Sequence, residues 1–298
     1  MVLPRKLPSF PGFTLELIRF ACMCANMSYY KMIDFPDDNI IQAFEDNTYC
    51  RPCYYVLYHN NSYYIVIRGT SSPKDIQTDA NILETRFTVK DEEIYIKDGF
   101  FYSARFIYMM TRDLLLEKAR GKPIYIIGHS MGGSVATVLN ILFSRYKETE
   151  SLDVYTVAIA PAPSVSKIPH DNWKKIISIV YEGDPVPKMY VMNVVKSNIS
   201  RLWIDSLIGT VSSKVKILHG VFTGKYDYHA LHKPNSVSVV EELTGYIFYI
   251  HEKTNKTRFR DFFLTPKDMI NQGVYNFNFF KRHSNDNYCE ELNHVTEF

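Results

Sequence analysis

The chain contains no run of 18 apolar residues, so it offers no segment that reads as a membrane-spanning helix. It has almost no net charge: 34 basic against 32 acidic side chains leave +2. That balance removes the electrostatic case for nucleic acid as a partner. The opening stretch, MVLPRKLPSFPGF, carries three prolines and no apolar core, so it is not expected to act as a secretory signal. Cysteine is scarce. Cys22, Cys24, Cys50, Cys53 and Cys289 are an odd set that cannot all pair within one chain, and a chain of this length does not need staples. Cys50 and Cys53 have CxxC spacing, but Cys22 and Cys24 are separated by one residue, which is outside the usual zinc pattern. The five therefore read as small, half-buried thiols in a reducing compartment, and no metal is expected. Sequons at Asn26, Asn60, Asn198 and Asn255 stand against about two expected by chance, too small an excess to be read as a mark of secretion. Repeats and low-complexity tracts are missing as well.

What is present is a globular composition. With 298 residues, 46% of them hydrophobic and 22% charged, the chain can bury a sizeable core and is not expected to be disordered. Residues 1–14 form a Pro-rich lead, and residues 15–298 read as one domain. Leu15, Ile18, Cys22, Ala25 and Tyr29 recur at steps of three or four, which predicts an amphipathic helix from Leu15 to Met32. Asp37 to Phe44 reads as a second helix, started by the Pro36-Asp37-Asp38 turn. The period then changes. Cys53 to Tyr58 and Ser62 to Ile67 predict a hairpin across His59-Asn60-Asn61. Asp98 to Glu117 is helical in pattern. Ile124 to Ile127, Val154 to Ala160 and Ile176 to Tyr181 are apolar runs of the kind buried on both faces of a parallel sheet. Val191 to Leu218 reads as a long amphipathic excursion. Tyr246 to His251 and Arg258 to Leu264 predict a second hairpin. Strands alternating with helices point to a doubly wound α/β fold, a mostly parallel central sheet with helices on both faces.

The chemistry is concentrated at Gly128-His129-Ser130-Met131-Gly132-Gly133. Gly-x-Ser-x-Gly between a buried strand and a helix is a nucleophile elbow. The serine sits on a turn too sharp for Cβ atoms two residues away on either side, and its hydroxyl stands at the carboxyl edge of the sheet. The helix that follows points its N-terminus at the same spot. A serine nucleophile needs a base, and the base needs an orienting carboxylate. In this fold the chain order is serine, acid, histidine. Asp184 follows the Ile176–Tyr181 run in a loop flanked by Pro185 and Pro187, with Glu182 as the alternative. Nine histidines compete for the base. His59 and His170 precede the acid and His129 lies in the elbow; His219, His229 and His232 come before the last hairpin, and His251 ends a strand. His283 and His294 follow the final strands, and His283, in a polar loop ahead of a short helix, is best placed.

These blocks together resemble the class 3 lipases, α/β-hydrolases, and most closely the sn1-specific diacylglycerol lipase branch. The resemblance runs from about residue 15 to 292. It rests on Arg68-Gly69-Thr70-Ser71-Ser72-Pro73-Lys74-Asp75 with Thr78-Asp79, on Gly99-Phe100 and Ser103-Ala104, and on the GHSMGG elbow. Ala160-Pro161-Ala162-Pro163, Gly183-Asp184-Pro185-Val186-Pro187-Lys188, and His283 with Leu292 complete it. It implies an oxyanion hole made by Thr70 and the Met131 N–H, with Asp79 supporting the oxyanion loop. It implies that residues 81–97, where apolar and charged side chains mix, form a lid; the alternative for that stretch is a surface hairpin. It implies hydrolysis of glycerolipid esters through an acyl-enzyme on Ser130 without a metal or cofactor. Diacylglycerol is the first substrate, with triacylglycerol lipase, monoacylglycerol lipase and phospholipase A1 as alternatives. A catalytically inactive relative that binds lipid or a partner is the alternative from another class, disfavoured because every needed residue type occurs in order. Two departures stand out. Residues 271–282 are longer than the family spacing before the histidine, and the transmembrane bundle of the large animal diacylglycerol lipases is missing. Membrane contact is therefore expected to be peripheral, and the location cytoplasmic or on membrane or lipid-droplet surfaces. The oligomeric state is not legible.

Overall fold

In the computed structural model the described residues are 12–32, 34–36, 39–46, 48, 50–69, 84–89, 91–166, 172–181, 184, 186–188, 243, 245–250, 257–260 and 283–295. Contacts divide the chain into a unit of Met1–Lys188 with Val240–Phe298 and a unit of Met189–Val239. All described residues belong to the first, so the amphipathic excursion expected from Val191 to Leu218 lies outside them.

Strands in chain order are β1 (Ile40–Phe44), β2 (Tyr54–His59), β3 (Ser62–Ile67), β4 (Glu84–Val89), β5 (Glu92–Lys97), β6 (Ile124–His129), β7 (Val154–Ile159), β8 (Ile176–Tyr181), β9 (Tyr246–Ile250) and β10 (Thr257–Arg260). The helices are α1 (Leu15–Met27), α2 (Asp98–Lys118), α3 (Met131–Arg145) and α4 (Asn285–His294). Eight strands make one sheet in the order β1-β2-β3-β6-β7-β8-β9-β10. The pairs from β3 to β9 are parallel, and the antiparallel pairs lie at the two ends.

The apolar runs explain this arrangement. Successive side chains on a strand point to opposite faces. Ile65, Ile67 and Ile126 go to one face, where α2 and α3 supply Ile107, Val135 and Leu139. Val66, Ile127 and Val157 go to the other, where α1 and α4 supply Ile18, Cys22, Tyr288 and Leu292. A strand apolar at every position is stable only when both faces are covered. The sheet is thus doubly wound, and the chain has the α/β-hydrolase architecture expected of it.

Local chemistry sets the boundaries. Thr14 caps α1, its hydroxyl accepting from the Leu17 N–H at 3.1 Å. The helix stops at Met27, short of the expected Met32, in a 3₁₀ turn followed by Lys31 and Met32 at positive φ. Asn60 and Asn61 both have φ > 0, which gives the β2–β3 hairpin the two-residue turn that matches strand twist.

One segment departs from local expectation, and the pairing of a second sets how the stretch around residues 84–97 is built. Ile40–Phe44 is a strand, not the second helix expected over Asp37 to Phe44: it pairs antiparallel with β2, and its exposure alternates residue by residue. The open edge of β2 offers backbone partners, and Phe44 packs on Tyr54 and Phe106. Tertiary pairing here overrides the turn-then-helix signal. Between Glu84 and Lys97 the chain is a hairpin. Its Val89, Ile94 and Ile96 are fully buried in the main core. The backbone of Tyr95 exchanges hydrogen bonds with Ser166, and the Lys97 N–H donates to Ser164 O at 3.0 Å. Residues 81–83 of the expected lid lie outside the described residues.

Truncation measures that anchoring. Ile94→Ala and Ile96→Ala should each lower the free energy of unfolding by about 2–4 kcal/mol, as core isoleucines do. Denaturant titration gives the value; a loss under about 0.5 kcal/mol would mark the hairpin as loosely held.

Candidate active site

Ser130 joins β6 to α3 and adopts φ 57°, ψ −125°, a strained conformation for a residue with a side chain. Its N–H donates to the Ile159 carbonyl of β7 at 2.8 Å, so the neighbouring parallel strand holds the turn. The turn needs bare backbone on both sides. A Cβ on Gly128 would collide with the Gly132 carbonyl, and one on Gly132 would collide with the Ile67 carbonyl of β3. Met131 is the first residue of α3. Its N–H belongs to the first turn, where an N–H has no carbonyl four residues back inside the helix.

Asp184 lies beyond β8, in the same carboxyl-edge region, and is fully buried. One carboxylate oxygen, Oδ1, accepts from the Val186 N–H at 2.9 Å. The other, Oδ2, accepts from the Tyr288 hydroxyl at 2.6 Å and lies 3.1 Å from His283 Nδ1. His283 Nε2 is 2.8 Å from Ser130 Oγ. A carboxylate oxygen can only accept, so Nδ1 carries the proton. In the neutral ring Nε2 is then an acceptor, and the Ser130 hydroxyl donates to it. Residues from three separate loops thus line up as hydroxyl, imidazole and carboxylate. This arrangement can carry nucleophilic acyl transfer.

The other candidates divide cleanly. His59 stacks on Phe20 at the β2–β3 turn, and His294 ends α4. His170, His219, His229, His232 and His251 lie outside the described residues, as do Thr70, Asp79 and Glu182.

Two neighbours of the site were not legible in the sequence. Tyr288, on α4, donates to Asp184 while its oxygen accepts from the Tyr181 N–H at 3.0 Å. Burial, followed by the charge of Asp184, pushes its phenol far above the usual range, so it remains a donor. His129, inside the elbow motif, holds the other side of the base. Its Nε2 is 2.8 Å from the His283 carbonyl, an acceptor, so Nε2 carries the proton. Its Nδ1 then accepts from the Tyr29 hydroxyl at 2.9 Å. Burial first, and repulsion from His283 second, hold its pKa well below the ordinary 6.5. The only signal for either residue was position: one next to the nucleophile, the other five residues beyond the base.

A strained serine at the carboxyl edge of a doubly wound sheet, with imidazole and buried carboxylate aligned behind it, has the form of a serine hydrolase of the α/β-hydrolase class. Comparison with known proteins narrows the class. The sequence model described as Lipase (class 3) matches residues 64–194, so this part of the chain is similar to that family. No curated protein sequence matches it. Solved structures do. A triacylglycerol lipase from Penicillium expansum is similar with a TM-score of 0.55 at 13% identity, over 88% of this chain and 89% of that one. The triacylglyceride lipase of Rhizomucor miehei is similar with a TM-score of 0.58 at 16% identity, over 90% and 91%. At such identities the likeness is one of fold.

His129 can be tested in two ways. His129→Ala should lower kcat for ester hydrolysis by about 10–100-fold with little change in KM, because a misplaced base costs the chemical step. His129→Gln, which keeps an N–H toward the same carbonyl, should recover part of that loss. The pH dependence has a definite sign. The buried ring stays neutral while the unfolded chain protonates near 6.5. Its contribution is fully present above that pH and is lost as pH falls toward the native value. Melting curves between about pH 7.5 and 5 should therefore fall less steeply in His129→Gln than in the wild type.

Proposed function

We propose that this chain hydrolyses glycerolipid esters through an acyl-enzyme on Ser130, with diacylglycerol as the preferred substrate. The carrying observation is His283 standing between Ser130 and Asp184, at 2.8 and 3.1 Å. Ser130 Oγ attacks the ester carbonyl as its proton passes to His283 Nε2. The oxyanion receives hydrogen bonds from Thr70 and the Met131 N–H, with Asp79 supporting the loop. His283 returns the proton to the leaving glycerol oxygen, and the acyl group stays on Ser130. Water, deprotonated by His283, then releases the fatty acid. Asp184 holds the imidazole and stabilises its charged form. No step calls for a cofactor.

The likeness of residues 64–194 to the class 3 lipase model supports a lipid substrate presented at an interface. A small neutral head group is favoured because a chain of net charge +2 with no polybasic run offers no obvious clamp for phosphate. The fungal neighbours described as triacylglycerol lipases favour triacylglycerol as the second reading. Among the described residues no helix is long and apolar enough to cross a membrane. Contact with a membrane or lipid droplet is accordingly taken to be peripheral.

A fluorophosphonate probe should label the protein at Ser130. Ser130→Ala should abolish labelling and lower ester hydrolysis by a factor approaching 10⁶, and His283→Ala should be about as damaging. A Ser130→Ala protein retaining a tenth of wild-type turnover would sink the reading, and a wild type that neither takes the probe nor hydrolyses ester would leave a lipid- or partner-binding module.

The oxyanion assignment has its own test. Thr70→Val should lower kcat by about 10²–10³ with KM little changed if the hydroxyl donates to the developing charge. Unchanged turnover would limit Thr70 to its backbone N–H.

Substrate class is read from rates on emulsified diacylglycerol, triacylglycerol and phosphatidylcholine beside a soluble short-chain ester. The expected result is fastest turnover of diacylglycerol, with rates rising above the solubility limit. A preference for phosphatidylcholine, or no gain on aggregates, would favour a phospholipase or a general esterase.

A further inference from the structure

On the face of the sheet opposite α2 and α3, helices α1 and α4 pack together, and two thiols meet between them. Cys22 Sγ of α1 and Cys289 Sγ of α4 lie 2.7 Å apart, although the residues are 267 positions apart in the chain. Their surroundings hold them in register. The Asn285 side chain donates to the Cys22 carbonyl at 3.0 Å and its amide lies 3.7 Å from Cys289 Sγ. Three residues before Cys22, Arg19 donates to the carbonyls of Leu292 and Val295 at 3.1 and 2.6 Å. The two thiols differ in access. Cys22 is buried and Cys289 is partly exposed, and both border an open groove of about 670 Å³ lined by Arg19, Met23, Asn26 and Asn293.

We infer that Cys22 and Cys289 are a redox pair that forms a disulfide across α1 and α4, and that this bond clamps α4, the helix that follows His283 and carries Tyr288. The sulfurs need only close to the S–S bond length of about 2.05 Å. A low-molecular-weight disulfide such as glutathione disulfide supplies the oxidant. The Cys289 thiolate attacks one of its sulfurs, forming a mixed disulfide and releasing one glutathione thiolate, which takes up a proton. Cys22 gives up its proton and attacks the Cys289 sulfur, expelling the second glutathione. Two protein thiols are oxidised to one disulfide, and one glutathione disulfide is reduced to two thiols. The order begins at Cys289 because it is partly exposed whereas Cys22 is buried. Burial, then the neighbouring Cys289, hold Cys22 in the thiol form.

The position of the pair gives it a consequence for the site. Cys289 follows Tyr288, whose hydroxyl holds Asp184, and α4 begins two residues after His283. A covalent tie from α4 to α1 therefore restrains the segment that presents both groups, and so large a closed loop removes much unfolded-state entropy. The inference rests on the α1–α4 contact and stands whether or not diacylglycerol is the substrate.

The test uses the full chain. The native protein is equilibrated with excess glutathione disulfide, its free thiols are alkylated, and peptides are mapped without reduction. Most of the protein should carry a peptide pair joined through Cys22 and Cys289. Reduction should then lower the melting temperature by on the order of 5–10 °C, and Cys289→Ser should melt at the same temperature with and without reductant. Cys289 recovered alkylated, as a lasting glutathione adduct, or joined to Cys24 would overturn the pairing. A bridged protein whose melting temperature ignores reductant would overturn the clamp. The mapping is done on the wild type, so it decides the pairing even if Cys289→Ser fails to fold.

Discussion

The site turns on a buried carboxylate. Asp184 has no exposed surface, and a charge without water must be met by donors or lose its ionised form. Val186 supplies an N–H, Tyr288 an O–H and His283 a ring N–H. Each donor fixes a different part of the fold. Val186 pins the loop after β8. Tyr288 docks α4 against the sheet. His283 is turned so that its other nitrogen reaches Ser130. The same three bonds that satisfy the charge also decide which tautomer of His283 exists, and therefore that the Ser130 hydroxyl has an acceptor. Removing one donor would disturb packing and chemistry together, since a half-satisfied buried network is costly.

A second chain of hydrogen bonds runs beside the first. Tyr29, at the end of the first helical segment, donates to His129, and His129 donates to the backbone of His283. The base is thus held twice: by its ring through Asp184, and by its carbonyl through the residue next to the nucleophile. The two histidines have opposite environments. His129 is buried and locked as a neutral donor, whereas the ring of His283 is partly exposed, with a side-chain exposure of 17%, and faces the hydroxyl it serves. α4 supplies Tyr288 to the first network, the turn after α1 supplies Tyr29 to the second, and the two helices pair Cys22 with Cys289.

Local chemistry accounts for the features that are legible along the chain. Gly128 and Gly132 flank Ser130 because no Cβ fits at either place, a constraint that acts within five residues and is visible in any sequence that obeys it. The runs at Ile124, Val154 and Ile176 announce strands covered on both sides. Asn60-Asn61 announces a two-residue turn. Asp184 and His283 followed from chain order and from the resemblance to the lipases, and the structure brings both to Ser130.

Other features waited on tertiary structure, for one physical reason. They depend on how far each helix is rotated and which sheet edge is open, and neither is written in a short window of sequence. Ile40–Phe44 reads as a helix alone and is a strand because β2 has an unpaired edge. Residues 84–97 mix charged and apolar groups, and that Val89, Ile94 and Ile96 enter the core is decided only by the packing beneath them. Tyr288 is one tyrosine among 22 until α4 turns its hydroxyl onto Asp184. Cys22 and Cys289 read as unrelated thiols until α1 and α4 are laid side by side. The sequence by itself determined the elbow and the buried strands, because those are set by neighbours in the chain. The fold decided which distant side chains satisfy Asp184, hold His283 and meet across the helices, because those contacts exist only where separate elements converge.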